Sequence, residues 1–470
     1  MTTSQPHPNH YDLLVLGSGE AGKFIAWTLS SKTGQRCAVI ERRWLGGSCP
    51  NVACLPSKSF VHSANVVYDA KHGNSYGIRD ADESVEMIAV RGRKRDMVDG
   101  LMDMHAGRFK DFGVELIWGE GKFVGKKSIE VTGESGKRVL TAEKVVVCTG
   151  SRAKIDDIPG LKAAKPLTHV EILELDVLPS HLVVLGGGYV GLEFAQAMRR
   201  LGAQVTVIER NARLLKNEDQ DIADVIAGVL DKEGVKVCAR TTIQEVSGES
   251  GTSVTLKGLA SGGSFEITGS HILCATGRLP NTDNIGLEQF GIKLTGKGFI
   301  ETNESLETPS EGVFAVGDCA GSPHFTHVAF DDFRIVTDVL LHKPIPPNRK
   351  SSRQVPFTLF TTPELAHVGL REHEASNLGI IFRTAKLPMG GFLKTRTLGE
   401  TTGFAKALIA EDDTIVGFTA LGIGAGELLP VVQLAMKRGL PYTDISEMVI
   451  THPTLSEGLV FLFSGVPSRS

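Results

Sequence analysis

One pattern of residues occurs twice in this chain of 470 residues, and it constrains the possible folds more than any other feature. Each copy has a short apolar strand, glycines spaced as Gly-x-Gly-x-x-Gly, a helical stretch, and a second apolar strand that ends in glutamate. The first copy contains Gly17, Gly19, Gly22 and Glu41, and the second contains Gly186, Gly188, Gly191 and Glu209. A single glycine-rich turn is a weak signal, whereas two complete copies in register are a strong one.

Every part of this unit suits the binding of a dinucleotide. The first glycine permits a tight turn, the second lets the backbone approach a pyrophosphate, and the third lets the helix pack on the strand. The N-terminus of the helix offers N–H groups and a positive dipole to the phosphates, and the acidic residue accepts ribose hydroxyls. The sequence therefore predicts an α/β fold with two Rossmann-like dinucleotide-binding units.

Three more apolar segments end in turns near these units. One turns at Thr149 and Gly150 before the second unit, and another turns at Gly277 after it. A third ends in Asp318, and a carboxylate at the carboxyl end of a strand can hold ribityl or ribose hydroxyls. An ordinary turn and helix cap is the alternative interpretation of Asp318.

A pair of cysteines, Cys49 and Cys54, follows the strand that ends in Glu41. A disulfide that closes so short a loop removes little entropy from the unfolded chain, so it stabilises the fold only weakly. We therefore interpret the pair as a store of electrons. Two unrelated buried thiols are the alternative.

Composition and charge exclude several kinds of partner. The seven cysteines are scattered and no apolar run is long enough to span a membrane, so we expect a cytoplasmic protein that does not bind membranes. The net charge of −4 gives no reason to expect a nucleic acid partner. The basic run at residues 91–95 is interpreted as the solvated face of a helix, with an anion site as the alternative.

Taken together, these motifs resemble the class I flavoprotein disulfide reductases, a family that includes dihydrolipoamide dehydrogenase, glutathione reductase and mercuric reductase. The match is collinear from Tyr11 to about Phe463. The resemblance implies FAD on the first unit, NAD(P) on the second, and a C-terminal α+β dimerisation domain after a proline-rich linker at residues 344–347. The implied domains are residues 1–155 (FAD-binding domain, first part, with the redox disulfide), 156–280 (NAD(P)-binding domain), 281–350 (FAD-binding and central segment) and 351–470 (dimerisation domain).

The resemblance also implies a role for each residue near the cysteine pair. Cys54 would face the flavin, and Cys49 would exchange electrons with the substrate. Lys58 would lie near the flavin and pair with Glu193 of the second unit, because a lysine favours negative charge on reduced flavin and on a thiolate. Tyr189 would cover the flavin until the nicotinamide displaces it.

A C-terminal pair, His452 and Glu457, completes the implied catalytic residues. In the family this histidine reaches the disulfide of the other subunit, and the carboxylate orients its ring. Thiol exchange needs a base for the attacking thiol and an acid for the leaving thiolate, so the resemblance implies a homodimer. The remaining implied contacts with the cofactors come from Lys58, Thr149, Gly150, Tyr189, Gly277, Asp318 and His327, the last at the start of a helix that points at the flavin.

The identity of the electron acceptor rests on departures from known relatives. Glutathione reductases carry an arginine on the first helix where this chain has Ala26 and Trp27, and the C-terminal cysteine pair of mercuric reductases is missing. The predicted function is transfer of electrons from NADH through FAD and the Cys49–Cys54 disulfide to a small, lipoamide-like disulfide. The alternatives are reduction of Hg(II) or Cu(II) at the two soft thiolates, and a non-catalytic dinucleotide-binding subunit.

Two further features affect the redox chemistry. The cysteine loop has Pro50 and Ala53 where the family usually has an aliphatic residue and a glycine, and proline stiffens the loop because it fixes φ and removes an N–H. Glu209 favours NADH over NADPH because a carboxylate repels a 2′-phosphate. Arg210 and Arg213 follow closely and could weaken that preference.

Overall fold

A computed structural model of the chain describes residues 8–79, 84–134, 136–345 and 349–469, which form four successive groups of elements. The first group consists of strands β1 (His10–Leu16), β2 (Cys37–Glu41), β3 (Glu115–Trp118), β4 (Glu120–Gly125), β5 (Ser128–Gly133), β6 (Gly136–Val147) and β7 (Ser151–Ala153) and helices α1 (Glu20–Thr33), α2 (Ser48–Val52), α3 (Cys54–Lys71) and α4 (Met87–Asp111). The second consists of β8 (His181–Leu185), β9 (Gln204–Ile208), β10 (Lys236–Cys238), β11 (Thr242–Glu249), β12 (Ser253–Ala260), β13 (Gly263–Gly269), β14 (His271–Cys274), β15 (Arg278–Pro280), α5 (Tyr189–Leu201) and α6 (Gln220–Lys232). The third consists of β16 (Val313–Ala315) and α7 (Thr326–Leu340). The fourth consists of β17 (Phe357–Leu359), β18 (Glu364–Gly369), β19 (Phe382–Pro388), β20 (Phe404–Ala410), β21 (Ile415–Gly422), α8 (Glu372–Asn377), α9 (Leu393–Leu398), α10 (Leu429–Arg438), α11 (Thr443–Ser446) and α12 (Glu457–Ser464).

The first glycine pattern lies in a mixed sheet with the strand order β3-β2-β1-β6-β5-β4. Strands β3, β2, β1 and β6 run parallel, and β6, β5 and β4 pair antiparallel. Strand β2 is buried at every position, which explains why its sequence is continuously apolar up to the glutamate. Strand β16 pairs in parallel with β6, so the third group returns to the first sheet. This return agrees with the implied placement of residues 281–350, while the implied domain boundaries stay predictions.

The second glycine pattern lies in a parallel sheet with the order β10-β9-β8-β14, next to an antiparallel sheet of β11, β12 and β13. Its register repeats that of the first unit, because Leu16 pairs with Ile40 and Leu185 pairs with Ile208. The glutamate that follows each of these isoleucines therefore lies at the same place on the carboxyl edge of its sheet. Strands β7 and β15 pair antiparallel and connect the two units.

The fourth group is an antiparallel sheet with the order β17-β18-β21-β20-β19, against which α10 and α12 pack. The predicted architecture of two dinucleotide-binding domains and an α+β domain is therefore confirmed. On the single subunit this domain exposes large apolar side chains, among them Leu434, Val449 and Phe461. Apolar surface of this kind is expected where a second chain binds.

The basic run in α4 is packed against the rest of the protein, so its interpretation as a solvated face is wrong in part. Lys94 is 2% exposed and forms an ion pair with Glu174. Arg95 pairs with the same carboxylate, and Arg91 pairs with Asp176. The pattern of α4 alone could not show this, because Glu174 lies 80 residues further along the chain than Lys94.

The segment that joins α7 to β17 contains the predicted proline-rich linker. Pro346 and Pro347 of that linker lie outside the described residues. Helix α7 ends at Leu340, before the linker begins. Within the ranges that the structure describes, no helix has both the length and the apolar character needed to cross a membrane.

The glycines of the second pattern have two different environments. A Cβ atom on Gly191 would lie 2.1 Å from the carbonyl oxygen of Gly186, because α5 packs directly on the turn. A Cβ atom on Gly188 would meet nothing within 4 Å, and the φ of −91° at Gly188 suits any residue. Gly191 is therefore required by the fold, whereas Gly188 leaves open space where a pyrophosphate is expected.

We expect Gly191→Ala to destabilise the protein by about 1–3 kcal/mol, because the added methyl group overpacks the turn. Gly188→Ala is the matched control in the same loop, and it should keep the wild-type melting temperature while it weakens nucleotide binding. Calorimetric melting of the two variants measures the difference. Equal melting temperatures would contradict the separate roles of the two glycines.

Candidate active site

The two cysteines lie at the junction of two helices. Cys49 is in the first turn of α2 and Cys54 is the first residue of α3, and Ala53 interrupts the helix between them with φ −130° and ψ −104°. Both side chains are free thiols, and they hydrogen-bond to each other. A Cβ atom on Gly47, just before α2, would lie 2.7 Å from the Cα of Gly19. The cysteine loop therefore packs directly on the first dinucleotide loop.

The pKa values of the two thiols shift in opposite directions, although burial raises both and the hydroxyl of Thr326 lowers both. The hydrogen bond from Cys49 is the main cause that lowers the pKa of Cys54, and the hydroxyl of Thr326 and the charge of Lys58 act in the same direction against burial. The same hydrogen bond, together with burial, raises the pKa of Cys49. Cys54 is therefore the thiolate of the pair, and Cys49 is its protonated partner.

The predicted pairing of Lys58 with Glu193 is present, with Nζ 2.7 Å from Oε2. Lys58 lies one turn beyond Cys54 on α3, and Glu193 lies one turn beyond Tyr189 on α5. The other carboxylate oxygen of Glu193 accepts the backbone N–H of Phe360 at 2.9 Å. Glu193 is 8% exposed, so this ion pair joins the helices of the two units in a largely buried place beside the thiols.

The N-terminus of α7 lies at the cysteine pair. The helix begins at Thr326, one residue before the predicted start, and Oγ1 of Thr326 is 3.3 Å from Sγ of Cys54. The ring of His327 donates from Nε2 to the carbonyl oxygen of Pro356 at 2.7 Å, so its side chain joins α7 to the C-terminal domain. Thr326 was not among the predicted site residues, although a hydroxyl residue at the start of a predicted helix is a usable signal.

Asp318 belongs to a polar cluster at the end of β16. Its carboxylate accepts the hydroxyl of Ser151 and lies 3.8 Å from Nε of Arg278. Burial lowers the pKa of Arg278, and the negative charges of Asp318 and Cys54 oppose that shift. Arg278 therefore places a half-buried positive charge 3.8 Å from Asp318 and within electrostatic reach of Cys54. Arg278 was not among the predicted site residues, although it directly follows Gly277.

The two acidic residues of the glycine patterns make the same contact in both units. Oε2 of Glu41 accepts the N–H of Ser18 at 2.9 Å, and Oε2 of Glu209 accepts the N–H of Gly187 at 2.8 Å. Both carboxylates are buried. Each acid therefore fixes the loop that is expected to hold the pyrophosphate.

The first unit fits a dinucleotide that extends towards the cysteines. Gly150 and Gly277 have φ of +69° and +148°, and a Cβ atom on either would meet nothing within 4 Å. Asn281 donates from Nδ2 to the carbonyl oxygen of Thr149 at 2.9 Å, which brings the two turns together. Open glycine positions and a buried acid at the carboxyl edge of a parallel sheet are the features that FAD requires here.

His452 and Glu457 form a pair at the surface of the subunit. Nδ1 of His452 is 3.0 Å from both carboxylate oxygens of Glu457, and the imidazole is 63% exposed. No hydrogen bond among the described residues links His452 to Cys49 or Cys54 of the same chain. Glu457 therefore holds the imidazole of His452, and the ring is exposed on the single subunit.

Two glycine-loop units that meet at a thiolate–thiol pair define a nicotinamide- and flavin-linked disulfide oxidoreductase. The chain belongs to the pyridine nucleotide-disulphide oxidoreductase family, because residues 11–332 match that family and residues 355–462 match its dimerisation domain. The predicted family is confirmed. The protein is accordingly an FAD-dependent oxidoreductase of this class, and its dimerisation domain supports a homodimer.

Proteins similar to this chain are named for different activities. The HOCl-induced flavoprotein disulfide reductase RclA from Escherichia coli, in its Cu(II) complex, has a TM-score of 0.87 and 30% identity, covering 97% of this chain and 99% of that chain. Dihydrolipoyl dehydrogenase from Thermus scotoductus is 34% identical and covers 96% of both proteins. Mercuric reductase from Staphylococcus aureus is 31% identical over 96% of this chain and 81% of that protein.

We expect Thr326→Val to raise the pKa of Cys54 in the reduced enzyme by about one unit, because the thiolate loses a hydrogen bond. The Cys54 side chain is a thiolate above its pKa and becomes protonated as the pH falls below that pKa. The long-wavelength absorbance of thiolate in contact with flavin should therefore disappear at a higher pH in the variant. A pH titration of this absorbance measures the shift.

Thr337→Val is the matched control for this experiment. Thr337 is buried on the same helix, and its hydroxyl has no hydrogen-bond partner among the described residues. The control should titrate like the wild type. Identical titrations of all three proteins would refute the role of the Thr326 hydroxyl.

Proposed function

We propose that this protein transfers electrons from NADH through FAD and the Cys49–Cys54 pair to a small disulfide of the lipoamide type. The observation that carries the proposal is the different surroundings of the two thiols: the hydroxyl of Thr326 is 3.3 Å from Sγ of Cys54, and Lys58, one turn further along α3, lowers the pKa of Cys54. Such asymmetry suits a relay with a cofactor side and a substrate side. It is not expected of inert thiols in a non-catalytic subunit, because burial alone raises the pKa of a thiol.

The chain's own groups would hold the cofactors as follows. FAD, when bound, supplies the two-electron step between nicotinamide and disulfide. Residues 17–22 would contact its pyrophosphate, Glu41 its ribose, and Asp318 its ribityl hydroxyls. Lys58 would stabilise negative charge beside the Cys54 thiolate, and the second glycine loop would hold the nicotinamide nucleotide.

Reduction of the acceptor is an exchange between thiolate and disulfide. Cys49, as thiolate, bonds to one sulfur of the acceptor and the S–S bond of the acceptor breaks, while the leaving sulfur takes a proton from His452 of the partner subunit. The Cys54 thiolate then bonds to Cys49, the mixed S–S bond breaks, and the second sulfur leaves as a thiolate that takes a proton from solvent. Each turnover consumes one NADH, one proton and one disulfide, and yields NAD⁺ and two thiols. The raised pKa of Cys49 is the reason that a base such as His452 is needed.

Preference for NADH rests on the surroundings of Glu209. Its carboxylate is buried at the strand end where the ribose is expected, and it would repel a 2′-phosphate there. Of the two nearby cations that could offset this, Arg213 donates instead to the backbone carbonyl oxygens of Lys216 and Glu218 at 3.2 and 2.8 Å, whereas Arg210 is exposed. These bonds reduce the capacity of Arg213 to attract a phosphate.

We expect Cys49→Ser to abolish lipoamide reduction and to leave anaerobic reduction of the flavin by NADH intact, because a hydroxyl cannot form the mixed disulfide. Cys238→Ser is the matched control, since that half-buried thiol lies in β10 of the second unit. Steady-state assays with NADH and NADPH, combined with stopped-flow flavin reduction, measure both steps. Full lipoamide reduction by Cys49→Ser would refute the cycle.

Reduction of a metal ion, Cu(II) or Hg(II), is the second candidate function. The similarity to RclA in its Cu(II) complex and to a mercuric reductase favours it, and thiolates are soft ligands that suit such ions. Among the described residues, no group of three or more His, Cys, Asp or Glu side chains could hold a metal ion. The ion would therefore be a substrate of the thiol pair.

His452→Ala separates the two candidates. Lipoamide reduction should fall about 10²–10⁴-fold because the general acid–base group is lost, while reduction of Cu(II) or Hg(II) needs no proton for a leaving thiol and should largely survive. His62→Ala, an exposed histidine on α3, is the control and should affect neither activity. Steady-state rates with each acceptor measure the effect. Unchanged lipoamide reduction in His452→Ala would contradict the proposed acid–base role.

A further inference from the structure

Tyr189, Glu218 and Arg371 form a contact, here called the Tyr189 latch, that links the second nucleotide unit to the C-terminal domain. The hydroxyl of Tyr189 donates to Oε1 of Glu218. Arg371 holds the same carboxylate with two hydrogen bonds, from Nε to Oε2 at 3.0 Å and from Nη2 to Oε1 at 2.8 Å. A bidentate bond of this kind fixes the carboxylate in position and orientation.

The latch is almost completely buried. The side chain of Glu218 is 1% exposed and that of Arg371 is 14% exposed. Burial and the neighbouring charge of Glu218 raise the pKa of Tyr189, so its hydroxyl remains a donor. A buried carboxylate needs this full set of partners, and a change at any one of them therefore affects the other two.

A series of stacked aromatic rings leads from the second glycine loop towards the thiols. Tyr189 directly follows Gly188 at the start of α5, and its ring stacks on Phe357 with centroids 5.2 Å apart. Phe357 lies parallel to Phe325 at 6.0 Å, and Phe325 precedes Thr326, which contacts Cys54. A nicotinamide carried by a pyrophosphate on the glycine loop would have to enter this aromatic stack to reach the cysteine side.

The latch is also joined to the loop that starts at Glu209. Arg213 binds the carbonyl oxygen of Glu218 at 2.8 Å, and the N–H of Leu215 donates to the carbonyl oxygen of Gly187 at 3.0 Å. Hydrogen bonds therefore connect the segment from Glu209 to Glu218 with the second glycine loop. The residue that completes the latch, Arg371, comes from outside this unit, at the start of α8.

We propose that Arg371 is a positioning residue for the proposed NADH oxidation: by fixing Glu218 it holds the Tyr189 ring in the path of the nicotinamide. Binding of the nicotinamide then has to break the hydrogen bond between Tyr189 and Glu218. This inference rests on the proposed use of a nicotinamide nucleotide at the second unit. Loss of the latch favours nicotinamide binding and leaves the adenosine half of the nucleotide unaffected.

Two variants and two probes test the latch on the oxidised holoenzyme. Tyr189→Phe keeps the ring and removes the hydroxyl, and Arg371→Thr removes the guanidinium but keeps a residue that suits a helix start. NAD⁺ probes the whole nucleotide, and ADP-ribose probes it without the nicotinamide. Calorimetry and the change in flavin absorbance on titration measure the dissociation constants.

We expect both variants to bind NAD⁺ about threefold to tenfold more tightly than the wild type, and to bind ADP-ribose with unchanged affinity. Tyr11→Phe is the matched control, because Tyr11 also donates to a glutamate, Glu115 at 2.6 Å, but lies in the first unit. If Arg371→Thr does not fold, the double variant Glu218→Leu/Arg371→Met replaces the buried pair by apolar side chains. It is expected to match Tyr189→Phe.

Three results would overturn the inference. NAD⁺ affinity that stays at the value of the Tyr11→Phe control would show that the latch does not restrain the nicotinamide. Tighter binding of NAD⁺ and ADP-ribose in parallel would show that the variants altered the whole loop instead. A wild-type enzyme that neither binds NAD⁺ nor oxidises NADH would overturn the proposed function itself, and this failure is visible without any variant.

Discussion

The ion pair between Lys58 and Glu193 is the interaction on which the arrangement of the site depends. Lys58 belongs to the helix that starts at Cys54, Glu193 belongs to the helix of the second nucleotide unit, and the carboxylate also accepts the N–H of Phe360 from the C-terminal domain. Three parts of the chain therefore meet at one largely buried carboxylate. Because a buried charge without its partner is costly, this contact restricts how the two units lie beside the thiols.

The structure contains the same nucleotide-binding motif twice, and the two copies have different surroundings. Glu41 and Glu209 hold their glycine loops through equivalent hydrogen bonds. Next to the first loop lies the cysteine pair, in which hydrogen bonding makes Cys54 the thiolate. Next to the second loop lies Tyr189, which is held by groups outside its own helix. In the proposed cycle, the first motif binds the flavin, and the surroundings of the second motif control the access of NADH to it.

Much of the fold and part of the site could be predicted from local sequence. Strand β8 has the predicted bounds, and the pairing of Lys58 with Glu193 is present, because the apolar runs, glycine spacing and family motifs lie in short segments. Local signals existed for Thr326 and Arg278, but their link to Cys54 is a contact or a charge effect between distant segments, so the sequence did not single them out. The basic run of α4 was misinterpreted in part, since the acidic partner of its buried Lys94 comes from another segment.

The sequence by itself determined the two dinucleotide-binding units, since tight glycine turns and buried parallel strands impose residue types over stretches of about 25 residues. It also determined the presence of a thiol pair beside the first unit. Only the tertiary structure decided which thiol carries the negative charge and what holds Tyr189. The physical reason is that these properties depend on short contacts between distant residues, 272 positions apart for Cys54 and Thr326 and 153 positions apart for Glu218 and Arg371.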